Sequence, residues 1–184
     1  MEPTDAELMG RWQRGDTLSF ETLVRRWQGP MARLLARLAG PSGVPDLCQE
    51  VFLRVYQAGP RYREEGAFAT WLYRIALNVA RDAGRRRRRL PGPLENHEPL
   101  DPSTPADKVC RQEEVLLLTQ ALAELPEPLR EVLVLRHYEG LHFEQIARLT
   151  GTPASTLKSR FAAALARLRV RLHQLGWGPE GETS

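Results

Sequence analysis

The stretch His142-Phe143-Glu-Gln-Ile146-Ala147-Arg-Leu149-Thr-Gly151-Thr152-Pro153-Ala-Ser155-Thr-Leu157-Lys158-Ser159-Arg160-Phe161-Ala-Ala-Ala-Leu165-Ala-Arg-Leu168 decides the fold of its half of the chain. Apolar spacing from Phe143 to Leu149 predicts a short amphipathic helix. Gly151 falls where the chain must turn sharply, and Thr152-Pro153 offers an N-cap and a first-turn proline for a second helix. Leu157, Phe161, Leu165 and Leu168 predict that helix's buried stripe, and Ala147 is small enough to let the two helices approach closely. This is helix-turn-helix spacing, in which the second helix enters the DNA major groove and reads bases from its N-terminal end. Ser155, Lys158, Ser159 and Arg160 lie off the stripe near that end. Lys158 and Arg160 suit guanine acceptors or phosphates, and the serines bond to either. A plain helical hairpin with a solvated basic face shares the apolar pattern. Charge argues against it, because residues 145–175 carry six basic and no acidic side chains.

Working outward, helical periodicity dominates the chain and no stretch sustains strand alternation. Further helices are predicted near 111–124, 128–138 and 153–174, with Pro126 and Pro128 at a helix entry, where a missing N–H costs little. Residues 91–110 differ in kind. Pro91, Pro93, Pro99, Pro102 and Pro105 punctuate a polar, acidic segment without periodicity, which reads as a linker. Upstream, a first helix is expected from Asp5 as N-cap to about Arg14. A second runs from about Ser19 to Leu38, with Phe20, Leu23, Val24 and Trp27 as its stripe and Gly29-Pro30 disturbing its hydrogen bonding. A third starts near Pro45 and carries Leu47, Val51, Phe52 and Val55. A fourth, from about Ala67 to Arg88, buries Phe68, Leu72, Ile75, Ala76 and Val79. The fold class is therefore all-α: two small helical domains, 1–90 and 111–175, joined by a proline-rich linker at 91–110. The C-terminal domain is the helix-turn-helix, and 176–184 form a flexible tail.

The net charge of +3 conceals its distribution. Residues 1–90 total +6, residues 91–144 are net acidic, and 145–175 return to +6. Two basic blocks are the electrostatic footprint of a polyanion partner. Arg85 to Arg89 is a run of five arginines at the end of a long helix, able to hold phosphates in a salt-dependent way.

Other classes find little support. The two cysteines, Cys48 and Cys110, lack a C-x-x-C partner, and His137 and His142 flank a glycine turn, which is poor geometry for a shared metal. Cys48 reads as a small buried hydrophobe. No carboxylate cluster or nucleophile–base pair suggests catalysis, so no catalytic residue, metal or cofactor is assigned. No apolar run approaches the roughly 20 residues of a membrane span. The acidic start Met1-Glu-Pro-Thr-Asp is unlike a secretion signal, so a cytoplasmic location without membrane insertion is expected.

Three motifs then carry a resemblance. Asp46-Leu-Cys-Gln49-Glu50-Val-Phe52-Leu-Arg54 resembles the polymerase-clamp-binding helix of bacterial sigma factors. Phe68-Ala-Thr-Trp71-Leu72-Tyr73-Arg74-Ile75-Ala76-Leu-Asn78, with Asp82 and the arginine run, resembles their promoter-melting helix. Leu125-Pro126 through Arg130, Gly140-Leu141, Glu144, Ile146-Ala147 and Thr156-Leu-Lys158-Ser159-Arg160 are similar to their C-terminal helix-turn-helix. The motif order, the short length and the linker look like the extracytoplasmic-function (ECF) group of the sigma-70 family.

The resemblance implies a factor that binds core RNA polymerase through its largest subunits, recognises minus-ten and minus-thirty-five promoter elements, and assists DNA opening. It implies polymerase contacts from Asp46, Gln49, Glu50, Leu53 and Arg54, all pointing away from the Leu47–Val51–Val55 stripe. It implies minus-ten contacts from Arg74, Asn78, Arg81, Asp82, Arg85 and Arg86, with Trp71 read as core rather than as a stacking platform. Minus-thirty-five contacts fall to Ser155, Lys158, Ser159 and Arg160. A cognate anti-sigma factor is a further implied partner. Two departures stand out. His142 replaces a Ser or Thr cap, and Ala162-Ala163-Ala164 and Leu165 stand where arginines are frequent, leaving phosphate contacts to Arg167, Arg169 and Arg171. A stand-alone helix-turn-helix regulator remains the alternative, although it leaves the Asp46–Arg54 and Asn78–Arg85 faces without a role; a nuclease or an anti-sigma protein fits less of the chain.

Overall fold

The computed structural model describes residues 2–63, 67–89 and 117–175, and all regular structure among them is helical. Backbone contacts divide the chain into two compact units, Met1–Pro93 and Leu94–Ser184. The expected linker at 91–110, the expected tail at 176–184, Cys110 and residues 111–116 of the expected fifth helix lie outside the described residues.

In the N-terminal unit, α1 (Asp5–Gln13) begins with a capping box set by Thr4 rather than Asp5. Glu7 N–H donates to Thr4 Oγ1 at 3.2 Å and Thr4 N–H donates to Glu7 Oε2 at 2.8 Å, which satisfies two donors that a helix start otherwise leaves open. Donation from the Thr4 N–H and the Thr4 hydroxyl holds the Glu7 carboxyl below its ordinary value. Asp5 is thereby released for a tertiary task. It accepts from Arg26 at 2.6 Å and from the Trp27 indole at 3.0 Å, fastening α1 to α2.

Helix α2 (Thr17–Ala39) starts two residues before the expected Ser19, because Asp16 caps it through Leu18 N–H at 3.1 Å and the Ser19 hydroxyl at 2.7 Å. It runs through Pro30 without interruption. Proline removes one donor there, and burial of Met31, Leu34 and Leu35, each at 0% exposure, outweighs the lost bond. Gly40, at φ 88°, ends the helix in a conformation that a side chain disfavours.

Helix α3 (Val44–Ala58) carries proline in its first turn and buries Val51 and Val55, with Leu47 and Phe52 half-buried. Cys48 is a half-buried free thiol, less enclosed than its apolar neighbours suggest, and burial raises its pKa. A short 3₁₀ turn (Gly59–Arg61) leads toward α4 (Phe68–Arg89), which buries Phe68, Leu72, Tyr73, Ala76, Leu77, Val79 and Ala80. Ile75 is only half-buried.

The C-terminal unit comprises α5 (described over 117–124), α6 (Glu127–Leu133), α7 (Phe143–Thr150) and α8 (Ala154–Gln174). Its core joins Leu122, Leu125, Leu133 and Ala164, with Leu118, Leu129, Tyr138, Phe161 and Leu168 packed around them. A π-helical turn (Val134–Tyr138) extends α6, closed by a Glu139 N–H bond to Val134 O at 3.2 Å. Apolar periodicity gives no warning of this turn. No described helix is long and apolar enough to cross a membrane.

Between α3 and α4, the Gln13 amide donates to Gly59 O at 2.8 Å and Tyr62 O at 2.9 Å. Trp12 lies on Gly59 so closely that a Cβ there would fall 1.9 Å from Trp12 Cζ3. Trp12 is itself wedged against Phe20 and Tyr56, at ring separations of 4.9 and 5.4 Å. Gly59→Ala therefore forces the indole out of its seat. The expected cost is about 1–3 kcal/mol, seen as a fall of several degrees in thermal unfolding. An unchanged melting curve would contradict this packing.

Candidate nucleic-acid interface

The helix-turn-helix forms where the sequence places it, with a different register of caps and stripe. Gln145 Oε1 accepts the His142 N–H at 2.7 Å, so α7 keeps a reciprocal cap contribution although His142 lacks a hydroxyl. Gly151 at φ 71° ends α7, and its N–H bonds to Ala147 O at 2.8 Å. Pro153, not Thr152, occupies the cap position of α8, while Thr152 N–H donates to Thr150 Oγ1 at 3.3 Å. On α8 the buried positions are Leu157 and Ala164, with Phe161 and Leu168 half-buried. Leu165, expected in the stripe, is 44% exposed. One residue turns a helix by about 100°, and Ala164 fits a close contact with the α5–α6 core that leucine would overfill. Phe143 meets Phe161 edge-on at 5.8 Å, and the Arg136 guanidinium lies 5.5 Å from the Phe143 ring centroid.

This geometry leaves Ser155, Lys158 and Ser159 exposed at the start of α8, with Arg160 half-buried. The Ser159 hydroxyl donates back to Ser155 O at 2.9 Å, so its local role is bonding within the helix. The first turn of α8 contains no acid, which leaves its positive N-terminal end unopposed. Arg167 and Arg169 are exposed. Arg171, also expected to supply phosphate contacts, is instead held by Glu124: Nη2 donates to Oε1 at 2.7 Å and Nε lies 2.6 Å from Oε2.

On α4, Arg74, Asn78, Arg85 and Arg86 are exposed, and Arg81 and Asp82 are half-buried. The arginine run is not uniformly displayed. Arg87 donates to Ala39 O at the end of α2, while Arg85 bonds Asp82. Asp82 also accepts from Arg54 at 3.1 Å. Partial burial pushes the Asp82 carboxyl up, but hydrogen bonds and charge from Arg54 and Arg85 outweigh it and hold the group below its ordinary value. Trp71 is half-buried in an aromatic stack, 4.7 Å from Tyr62 and 5.7 Å from Phe68.

On α3, Asp46, Gln49 and Leu53 are exposed, Leu53 by 49%. Glu50 and Arg54 are half-buried and bonded to each other at 2.8 Å. Arg54 thus already holds two carboxylates, a pairing that its position off the apolar stripe does not reveal. Tyr56, three residues after Leu53 and 56% exposed, continues the outward face while its ring packs on Trp12 and Phe20. Among the described residues no three His, Cys, Asp or Glu side chains are grouped to hold a metal ion.

A basic helix-turn-helix unit joined in one chain to a helical unit bearing a polar, arginine-rich face defines a two-domain DNA-binding protein. Family comparison makes the class specific. Residues 23–90 match the Sigma-70 region 2 model and residues 115–168 the Sigma-70, region 4 model. The ECF RNA polymerase sigma-E factor of Haemophilus influenzae is 34% identical over 183 residues, covering 94% of this chain and 97% of that one. Its counterpart in Escherichia coli K12 is 36% identical over 172 residues, covering 88% and 90%. The fold is also that of CnrH, solved with the cytosolic domain of CnrY, at TM-score 0.69 and 24% identity, covering 92% of this chain and 97% of CnrH. The chain belongs to the sigma-70 family, in its ECF group, and directs promoter-specific transcription by RNA polymerase.

The α8 register separates two neighbouring substitutions. Leu165→Gln is expected to change stability by no more than about 0.5 kcal/mol, whereas Ala164→Leu overpacks the core and costs about 1–3 kcal/mol. Urea unfolding of the full chain measures both. Equal costs would mean that Leu165 belongs to the core.

Proposed function

We propose that the N-terminal unit engages core polymerase through the outward face of α3 and the opened minus-ten strand through α4, while α8 reads the minus-thirty-five element. The observation that carries this is the separation of polar faces within one small unit. Asp46, Gln49 and Leu53 are exposed on α3, and Arg74, Asn78 and Arg85 are exposed on α4. Polymerase binding falls to Asp46, Gln49 and Glu50 around Leu53, with Tyr56 extending the apolar contact. Asn78 and the α4 arginines supply donors to unstacked base edges and phosphates. Ser155, Lys158 and Arg160 address the upstream duplex, with Arg167 and Arg169 supplying further phosphate contacts. The protein acts by positioning polymerase and stabilising opened DNA, with no chemistry of its own, and does so in the cytoplasm.

Addition of the full chain to sigma-free core polymerase is expected to yield promoter-specific transcripts from genomic templates; none across varied templates would sink this reading. Glu50→Arg reverses charge on the α3 face and should weaken holoenzyme assembly by about tenfold or more, since like charges at a recognition face are strongly disfavoured. Replacing both Lys158 and Arg160 with Ala should impair use of the upstream element more than core binding. Equal loss of both activities would point to unfolding instead.

A further inference from the structure

Four side chains form one ionic chain across the packing of α3 on α4. Glu50 Oε1 accepts from Arg54 Nε at 2.8 Å, Arg54 Nη2 donates to Asp82 Oδ2 at 3.1 Å, and Asp82 Oδ1 accepts from Arg85. Arg54, Asp82 and Glu50 expose 30%, 31% and 35% of their side chains, against 54% for Arg85. Half-exposed ion pairs add little to stability, so stability alone is a weak reason for four charges to be joined.

We propose that Arg54 and Asp82 are positioning residues that couple the two working faces of the N-terminal unit. Glu50 is the polymerase end of the chain and Arg85 the DNA end; the proposal rests on the placement of those faces given above. Both Asp82 oxygens already hold an arginine, so Asp82 is poorly suited to read a base, and as an acid it would otherwise repel phosphate. Arg54 spends two different nitrogens on two acids, a geometry that a single-headed lysine cannot reproduce. Each working residue sits one turn from its positioning partner on the same helix, Glu50 four before Arg54 and Arg85 three after Asp82.

A change of partner at either end of the chain redistributes the pairing at the other. When a basic polymerase surface engages Glu50, Arg54 is left to Asp82, whose hold on Arg85 weakens, and Arg85 becomes available to a phosphate. In reverse, a phosphate that takes Arg85 draws Arg54 toward Asp82 and leaves the Glu50 charge undivided for polymerase. Such coupling is reciprocal by linkage. DNA engagement and polymerase engagement therefore favour each other through two residues that need touch neither partner.

The test uses the full chain assembled with core polymerase and compares Asp82→Asn, Asp82→Glu and Arg54→Lys with wild type. Core affinity, promoter opening and base preference across the minus-ten element are measured for each. Asp82→Asn should lower promoter opening about threefold to tenfold even though it removes a negative charge near DNA. It should also weaken core affinity to a smaller extent and leave base preference unchanged. Asp82→Glu should restore most of the loss, and Arg54→Lys should reproduce it. Opening at or above the wild-type level in Asp82→Asn would overturn the proposal in favour of simple repulsion. A shift in base preference at one position would overturn it in favour of direct reading. Should Asp82→Asn fail to fold, Arg54→Lys decides instead: it keeps the charge, and wild-type behaviour in both activities would overturn the link. Glu50→Arg and Arg85→Ala separate the two levels. If both are silent, the placement of the faces is wrong; if both are defective while Asp82 and Arg54 variants are silent, only the link is wrong.

Discussion

Burial of α2 is the constraint on which the N-terminal unit depends. Its 23 residues pack against α1, α3 and α4, and Met31, Leu34 and Leu35 are completely enclosed. A small unit has little other apolar area with which to offset chain entropy, so each neighbour of α2 is held by a polar fastener as well. Asp5 takes Arg26 and Trp27, Gln13 takes two carbonyls of the α3–α4 connection, and Arg87 takes the final α2 carbonyl oxygen. Fixing α3 and α4 on a shared helix fixes them relative to each other, and only then can Arg54 reach Asp82 across 28 residues of sequence. The outward faces of α3 and α4 inherit their spacing from this apolar stripe.

Much of this architecture was legible because a 3.6-residue period separates inside from outside within a single helix. The order of helices, the turn at Gly151, and much of the stripes of α3 and α4 follow from local spacing and chain-breaking residues. Exposure of Asp46, Gln49, Leu53, Asn78, Lys158 and Ser155 follows in the same way. What periodicity cannot supply is the partner of a polar group. Nothing local tells that Asp5 serves α2 while Thr4 caps α1, or that Arg171 belongs to Glu124. Arg54 lies off the apolar stripe and so looks available, yet its partner arrives from another helix. The fold was readable helix by helix, and the outward faces with it, while the bonds between helices were hidden.

The register of α8 shows a subtler limit. Counting from Phe161, both Ala164 and Leu165 continue the helical pattern, by three and by four, and hydrophobicity favours leucine. Packing favours the smaller residue, because Ala164 sits among Leu122, Leu125 and Leu133 and is wholly enclosed. Size at a helix crossing thus overrides hydrophobicity at the next position. The same principle places Trp12 on Gly59, where absence of a side chain is the requirement.

The placement of charge then follows from the polarity of helices. Four consecutive arginines in the last turn of α4 lie at the negative end of the helix dipole, which offsets their mutual repulsion. At a helix start the same run would meet a second positive field. The beginning of α8 is the mirror case: its first turn has no acid, so the open N–H groups and Lys158 present positive potential together. Elsewhere individual cations are paired with carboxylates or carbonyls, as Arg26, Arg54, Arg87 and Arg171 are. A chain of modest net charge can therefore concentrate positive potential at the end of α4 and at the start of α8, where helix polarity and side-chain charge are arranged together.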